Sequence, residues 1–168
     1  MESKAKIAGH AVHPMLIVLP LGLLATAVAF DIIRAVTDQT DFAVASFYMV
    51  AAGIIGGLLA ALFGLIDWLA IPAGTRAKRI GALHGIGNVV VVLFAGSWLL
   101  RRGQDSYVPT SVAFWLGVVA VLLALATAWA GGELVERLGV GVDEGANLDA
   151  PSSLSGPARG RPHRTVEP

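Results

Sequence analysis

The chain has 168 residues, 55% of them hydrophobic and 14% charged, with twelve basic side chains against twelve acidic ones. Soluble domains carry roughly 25% charged residues, and a formal net charge of zero gives no attraction to nucleic acid. With no cysteine in the sequence, disulfides, thiolate metal sites, iron–sulfur ligation and cysteine nucleophiles are excluded.

Residues 1–13 form an N-terminal segment that precedes the first of four apolar runs. These runs cover about 14–34, 45–71, 80–100 and 111–132. Each is near or above the ~20 residues needed to cross the hydrocarbon layer. The joints "RAVTDQTD", "IPAGTRAKR" and "RRGQDSYVPT" carry turn and charge signals, and their shortness dictates an up-and-down bundle. The expected fold is therefore all-α: an integral membrane four-helix bundle over 14–137. Lys4, Lys6 and the "AVA" at 27–29 imitate a signal peptide. Asp31 and Arg34 at the natural end of the first helix and Pro14 at its start favour a retained span.

Basic residues set the expected orientation. With both termini cytoplasmic, Lys4, Lys6, Arg76, Lys78, Arg79 and Arg137 lie inside, and Arg34, Arg101 and Arg102 outside. The expected location is the bacterial cytoplasmic membrane, crossed four times. Trp68 and Trp129 fall at inner ends of the spans, Trp98 and Trp115 at outer ends. Beyond about residue 138 the sequence is rich in Gly, Pro and Ser, and 138–168 is expected to be a disordered cytoplasmic tail with a solvated His163.

Span one places His13, Ile17, Pro20, Leu24 and Asp31 along one side, and Asp31 with Arg34 reads as an i,i+3 ion pair. In span two, Gly53, Gly57, Ala60 and Gly64 make a stripe of small residues that lets a neighbouring backbone approach. Asp67 continues that stripe and is expected to point into the bundle. Span three sets Gly81, His84, Gly85 and Asn88 on one face, and Glu133 closes span four.

Spans one and three run outward and spans two and four return, so His13, Asp67, His84 and Glu133 reach about the same level, near the inner face. A carboxylate at a helix C-terminus meets the negative end of the dipole, and the antiparallel neighbours bring positive ends with His13 and His84. Those N-termini favour neutral imidazole, the form that ligates metals. His13 then Asp67, and His84 then Glu133, hint at two parallel repeats. On that reading His13 and His84 face each other across the centre.

The stretches "HAVHPMLIVLPLG", "GLIDW", "GALHGIGNVV" and "GGELVERLGVGV" resemble the successive motifs of the bacterial membrane family catalogued as domain of unknown function 2231. The resemblance covers about residues 8–142. It implies a four-helix membrane domain and supplies no activity. Some relatives continue into a Rieske-type iron–sulfur domain. This chain has a short tail and no cysteine, so a redox partner would be a separate protein.

Four readings of the polar cluster stay open. In the first, His13 and His84 are axial ligands of a haem b, Gly81 and Gly85 leave room for the macrocycle, and Asn88 offers a hydrogen bond. In the second, His13, His84, Asp67 and Glu133 surround a non-haem metal. In the third, the cluster is a hydrogen-bonded network that fixes helix register or a partner or homo-oligomer contact. In the fourth, Asp31 and Asp67 mark a proton or small-solute path. No nucleophile–base–orienter set is visible, so no catalytic residue is assigned.

Overall fold

The computed structural model describes residues 1–88 and 90–155. Its helices are α1 (Val12–Thr37), α2 (Thr40–Ala70), α3 (Arg76–Gly87), α4 (Val90–Arg101) and α5 (Ser111–Gly132). Four spans are long and apolar enough to cross a membrane: α1, α2, the pair α3–α4, and α5 with its extension to Arg137. At 1.5 Å per residue the 26 residues of α1 reach about 39 Å, more than the ~30 Å of a hydrocarbon core.

Helix α1 begins two residues before the predicted start. Val12 and His13 open it and Pro14 sits in the first turn, where a missing N–H removes no intrahelical bond. Asp38, in the left-handed conformation, ends the helix by donating its N–H to Arg34 O. Only Asp38 and Gln39 then separate α1 from α2. Thr75 and Thr110 cap α3 and α5, their hydroxyls accepting from Lys78 N and Ala113 N. The third span was expected to be one run over 80–100, but a turn at Asn88 separates α3 from α4.

Helix α2 shows how the sequence sorts its faces. Gly53, Gly57 and Ala60 are buried, while Ile55, Leu62 and Leu69, seven residues apart, are exposed. Small residues go between helices and large apolar ones go outside, where the surrounding phase is lipid. Gly57 faces Val91 and Pro20, and Gly53 faces Leu24. Leu24, Ala27, Val28, Val50, Val90, Phe94 and Ala120 form the central core. At the end farther from the chain termini, Phe47 stacks on Trp98 and Tyr107, with ring centres 5.2 and 4.0 Å apart.

Two features differ from expectation near the termini. A short antiparallel hairpin, β1 (Lys6–Ile7) with β2 (His10–Ala11), precedes α1. Ala8 and Gly9, both at positive φ, make its two-residue turn. The tail from 138 to 155, expected to lack structure, lies against this segment. Gly141 N donates to Met1 O, and Ser153 Oγ donates to Ala8 O. Residues 156–168, with His163, lie outside the described residues.

Candidate functional site

His13, the second residue of α1, turns its ring onto α2. Its Nδ1 lies 2.8 Å from Ala60 O. A Cβ on Gly64 would come within 2.9 Å of the same ring, so glycine there is what lets the imidazole lie flat against α2. His84 of α3 repeats the arrangement on α5. Its Nδ1 lies 2.8 Å from Thr127 O, and a Cβ on Gly131 would meet its Cε1 at 3.1 Å. In each hairpin the accepting carbonyl and the glycine are four residues apart on the second helix.

The protonation state follows from the partners. A carbonyl oxygen can only accept, so each Nδ1 carries the proton and donates it. In the neutral ring each Nε2 then carries the lone pair. This is the usual outer arrangement of a metal-binding histidine, whose second nitrogen is oriented by a backbone carbonyl. The two rings meet across the bundle with centres 6.3 Å apart and planes at 88°. Two imidazoles bound to one ion through nitrogen at about 2.0–2.1 Å have ring centres about 5 Å apart at a tetrahedral angle and about 6 Å apart on opposite sides of the ion.

The Nε2 atoms differ in their surroundings. Asn88 Nδ2 lies 3.1 Å from His84 Nε2, and Asn88 Oδ1 accepts from the Thr127 hydroxyl at 3.2 Å. These contacts are consistent only if the amide nitrogen faces the imidazole. His13 Nε2 has no such partner among the described residues.

Below the rings lies a cavity of about 360 Å³, at the lower end of the range for ligand pockets. His13, Ile17, Pro20, His84, Gly85 and Asn88 line it, with core residues toward the bundle centre. Nothing lies within 4 Å of a Cβ built on Gly85, so that side is open. Gly81 behaves differently, because its face is filled by the Trp68 ring and Ile71. Gly85 is exposed, so the space beside it is the outer surface of α3 at the edge of the cavity, and Gly81 is packed.

The two carboxylates lie elsewhere. Asp67 accepts from the Ser3 hydroxyl and from Lys4 N at 2.7 Å. It anchors the N-terminal segment and does not meet either histidine. Glu133 pairs with Arg76 at 2.6 Å. Among the described residues no group of three or more His, Cys, Asp or Glu side chains converges on a metal position. Asp31 is also reassigned. Its partner is Arg101, 2.5 and 3.0 Å away through two bonds, while Arg34 lies 3.8 Å from Asp38. Arg101 also donates to Ser46 Oγ at 2.9 Å. Asp31 and Arg101 are each 1% exposed.

Sequence reasoning missed Thr127 and Arg101. Thr127 is the one polar side chain in the apolar run 112–132, a signal that could have marked it. The partner of Asp31 is 70 residues away, and no periodicity within one helix reveals it.

A family model described as "Predicted membrane protein (DUF2231)" matches residues 9–144. The chain is 33% identical over 103 residues to the glycerol-3-phosphate acyltransferase of Sinorhizobium medicae (strain WSM419), covering 60% of this chain and 49% of that protein. It is 34% identical over 105 residues to that of Rhizobium meliloti (strain 1021), covering 61% and 49%. The chain thus spans about half the length of the curated relatives it matches. No solved structure matches.

Proposed function

The chain belongs to the DUF2231 family of membrane proteins, and from the geometry of the histidine pair we propose that it holds a haem b between His13 and His84 and passes electrons within the membrane. The carrying observation is that both Nδ1 atoms donate to backbone carbonyls at 2.8 Å, which leaves the Nε2 lone pairs for ligation, that of His84 once it parts from Asn88 Nδ2. Two nitrogen donors without a carboxylate suit a macrocycle, which brings its own four nitrogens, better than a bare non-haem ion, which takes three or four protein ligands. Haem b would supply a one-electron iron couple. The protein's part is to fix both imidazoles, keep water out with apolar walls, and raise ligand basicity through the two carbonyls. Electrons would be exchanged with a separate redox partner.

The orientation proposed is both termini in the cytoplasm of a bacterial cell. The burial of Arg101 against Asp31 supports it, since that arginine no longer counts as a free charge on the outer side. The acyl transfer named for the two relatives belongs to chains about twice the aligned length and is not extended to this protein.

A second reading is supported by the same hydrogen bonds. His13 ties α1 to α2 and His84 ties α3 to α5, so the rings serve as helix fasteners, each bond contributing about 0.6 kcal/mol. Absorption spectra of the purified protein, oxidised and dithionite-reduced, separate the two. From cells supplied with haem precursor, the expected result is a Soret band that shifts on reduction, lost in His13→Ala and unaffected in Asp67→Asn. A colourless preparation leaves only the fastener role.

A further inference from the structure

We propose that the cavity below the rings takes up a neutral single-chain lipophile with a hydroxyl head, an alkanol or an alkylphenol, which enters from lipid between α1 and α5 and donates its O–H to His13 Nε2. This rests on the fastener reading above, in which no metal occupies that nitrogen.

The cavity is a slot between the two hairpins. Helix α1 packs closely on α2 and touches α5 far more sparsely. The α1 wall includes His13 at one end and Leu24 toward the bundle centre, about 16 Å apart along the helix axis at 1.5 Å per residue. Val121, Ala124 and Ala128 of α5 line the other side. Leu21 and Leu125 line it as well and are 46% and 59% exposed, so the slot opens sideways, toward lipid. A buried water needs about two to four polar partners, and these walls are almost wholly apolar, so a hydrocarbon suits them better. An apolar cavity of about 150 Å³ holds one benzene. The roughly 360 Å³ here holds one chain or one alkylated ring, and a two-chain lipid is too large.

The polar groups stand at the His13 end, and three of them are engaged with one another. His84 Nδ1 donates to Thr127 O, Asn88 Nδ2 donates to His84 Nε2, and the Thr127 hydroxyl donates to Asn88 Oδ1. His13 is the exception. Its ring is fixed by the bond from Nδ1 to Ala60 O, while its Nε2 lone pair has no partner among the described residues. Among those residues the buried side-chain nitrogens without a partner are Arg34 Nε, Trp98 Nε1 and Arg101 Nε. His13 Nε2 is not one of them, so it is open to approach. A lone pair recognises a donor and repels an anionic head. The cations nearest that end are already held, Arg76 by Glu133 and Lys78 by Trp68 O. A cationic head finds no free carboxylate there, since Asp67 is held by Ser3 and Lys4 N. A neutral hydroxyl meets all three conditions.

The test uses the full-length protein in phosphatidylcholine nanodiscs with a diazirine-bearing dodecanol as photoprobe, the cross-linked peptides being read by mass spectrometry. Label is expected on the facing stretches of α1 and α5, around Ala25 and Ala124. Unlabelled dodecanol should displace it roughly three- to tenfold more effectively than dodecyl methyl ether, which cannot donate. Dodecylphenol, tried beside dodecanol, tells an aromatic head from an aliphatic one by which displaces the probe better. His13→Phe keeps a ring and loses the lone pair, so alcohol and ether should become equal. Ala124→Phe fills the slot and should abolish the label there. An ether that competes as well as the alcohol in the wild type overturns the proposal. So does label in the slot that Ala124→Phe leaves unchanged. A preparation with a Soret band puts a metal on the histidines and removes the fastener reading and this one together; a colourless preparation that fails either comparison removes this inference alone.

Discussion

Replacing Asp31 with alanine isolates the buried Asp31–Arg101 ion pair. Arg101 is 1% exposed and presents its Nη atoms to both oxygens of Asp31 and to Ser46 Oγ. Its Nε has no partner among the described residues. Without Asp31 the guanidinium keeps the Ser46 hydroxyl alone and stays charged inside the protein. Breaking a buried pair from one side costs about 3–5 kcal/mol, a large share of the ~5–15 kcal/mol that holds a domain folded. Ser46→Ala removes one charge-assisted bond and should cost less, about 1.5–3 kcal/mol. The double variant Asp31→Leu with Arg101→Met leaves no charge stranded and should recover most of the loss. Equilibrium unfolding in mixed micelles, followed by the fluorescence of Trp98 one turn from Arg101, measures all three. If Asp31→Ala costs under ~1 kcal/mol, or the double variant is as unstable as the single one, the pair does not hold the helices and the reasoning fails.

Gly64→Ala would place its Cβ 2.9 Å from the His13 ring. It should loosen the His13 contact with Ala60 O and cost about 1–3 kcal/mol by overpacking, read as a lower melting temperature. Gly85→Ala meets nothing within 4 Å and should melt as wild type. The terminal segments give a pH dependence. The Lys6 ammonium, bonded to Glu2, holds the Glu2 carboxyl below its ordinary value, and Glu144 N–H adds to this; Lys6 is held above its own. A lowered carboxyl favours the folded contact above its ordinary value, and the benefit is lost as pH falls through the lowered one. A raised ammonium favours it below its ordinary value, and the benefit is lost as pH rises through the raised one. Amide exchange at Glu144 should therefore be slowest, relative to its intrinsic rate, between those limits.

The spans were legible because the apolar runs are long and the joints short, and no alternative fold buries such runs. The meeting of His13 and His84 was legible for a related reason: alternating spans put both near helix starts on one side of the membrane. Depth is easy to count at 1.5 Å per residue, whereas the facing direction is not. Asp67 lies on the extension of the Gly53–Gly64 stripe, yet that stretch of α2 is covered by Ser3 and Lys4, and no helical periodicity announces an arriving terminal segment. Asp31 was assigned to Arg34 because nearby charges are the ones a sequence displays. The turn at Asn88 had no Pro or paired glycine breaker at the break itself. Asn88 is instead engaged with His84 and Thr127, partners that exist only once the bundle has formed.

Each helical hairpin carries its own imidazole, accepting carbonyl and glycine, and the link between hairpins, residues 71–75, contributes none of these. The covalent join is thus dispensable to the chemistry in principle. Two separately synthesised halves, cut within that link and expressed together, hold every group of the histidine pair, and the complementarity of the halves becomes a direct measure of how far the two hairpins recognise one another.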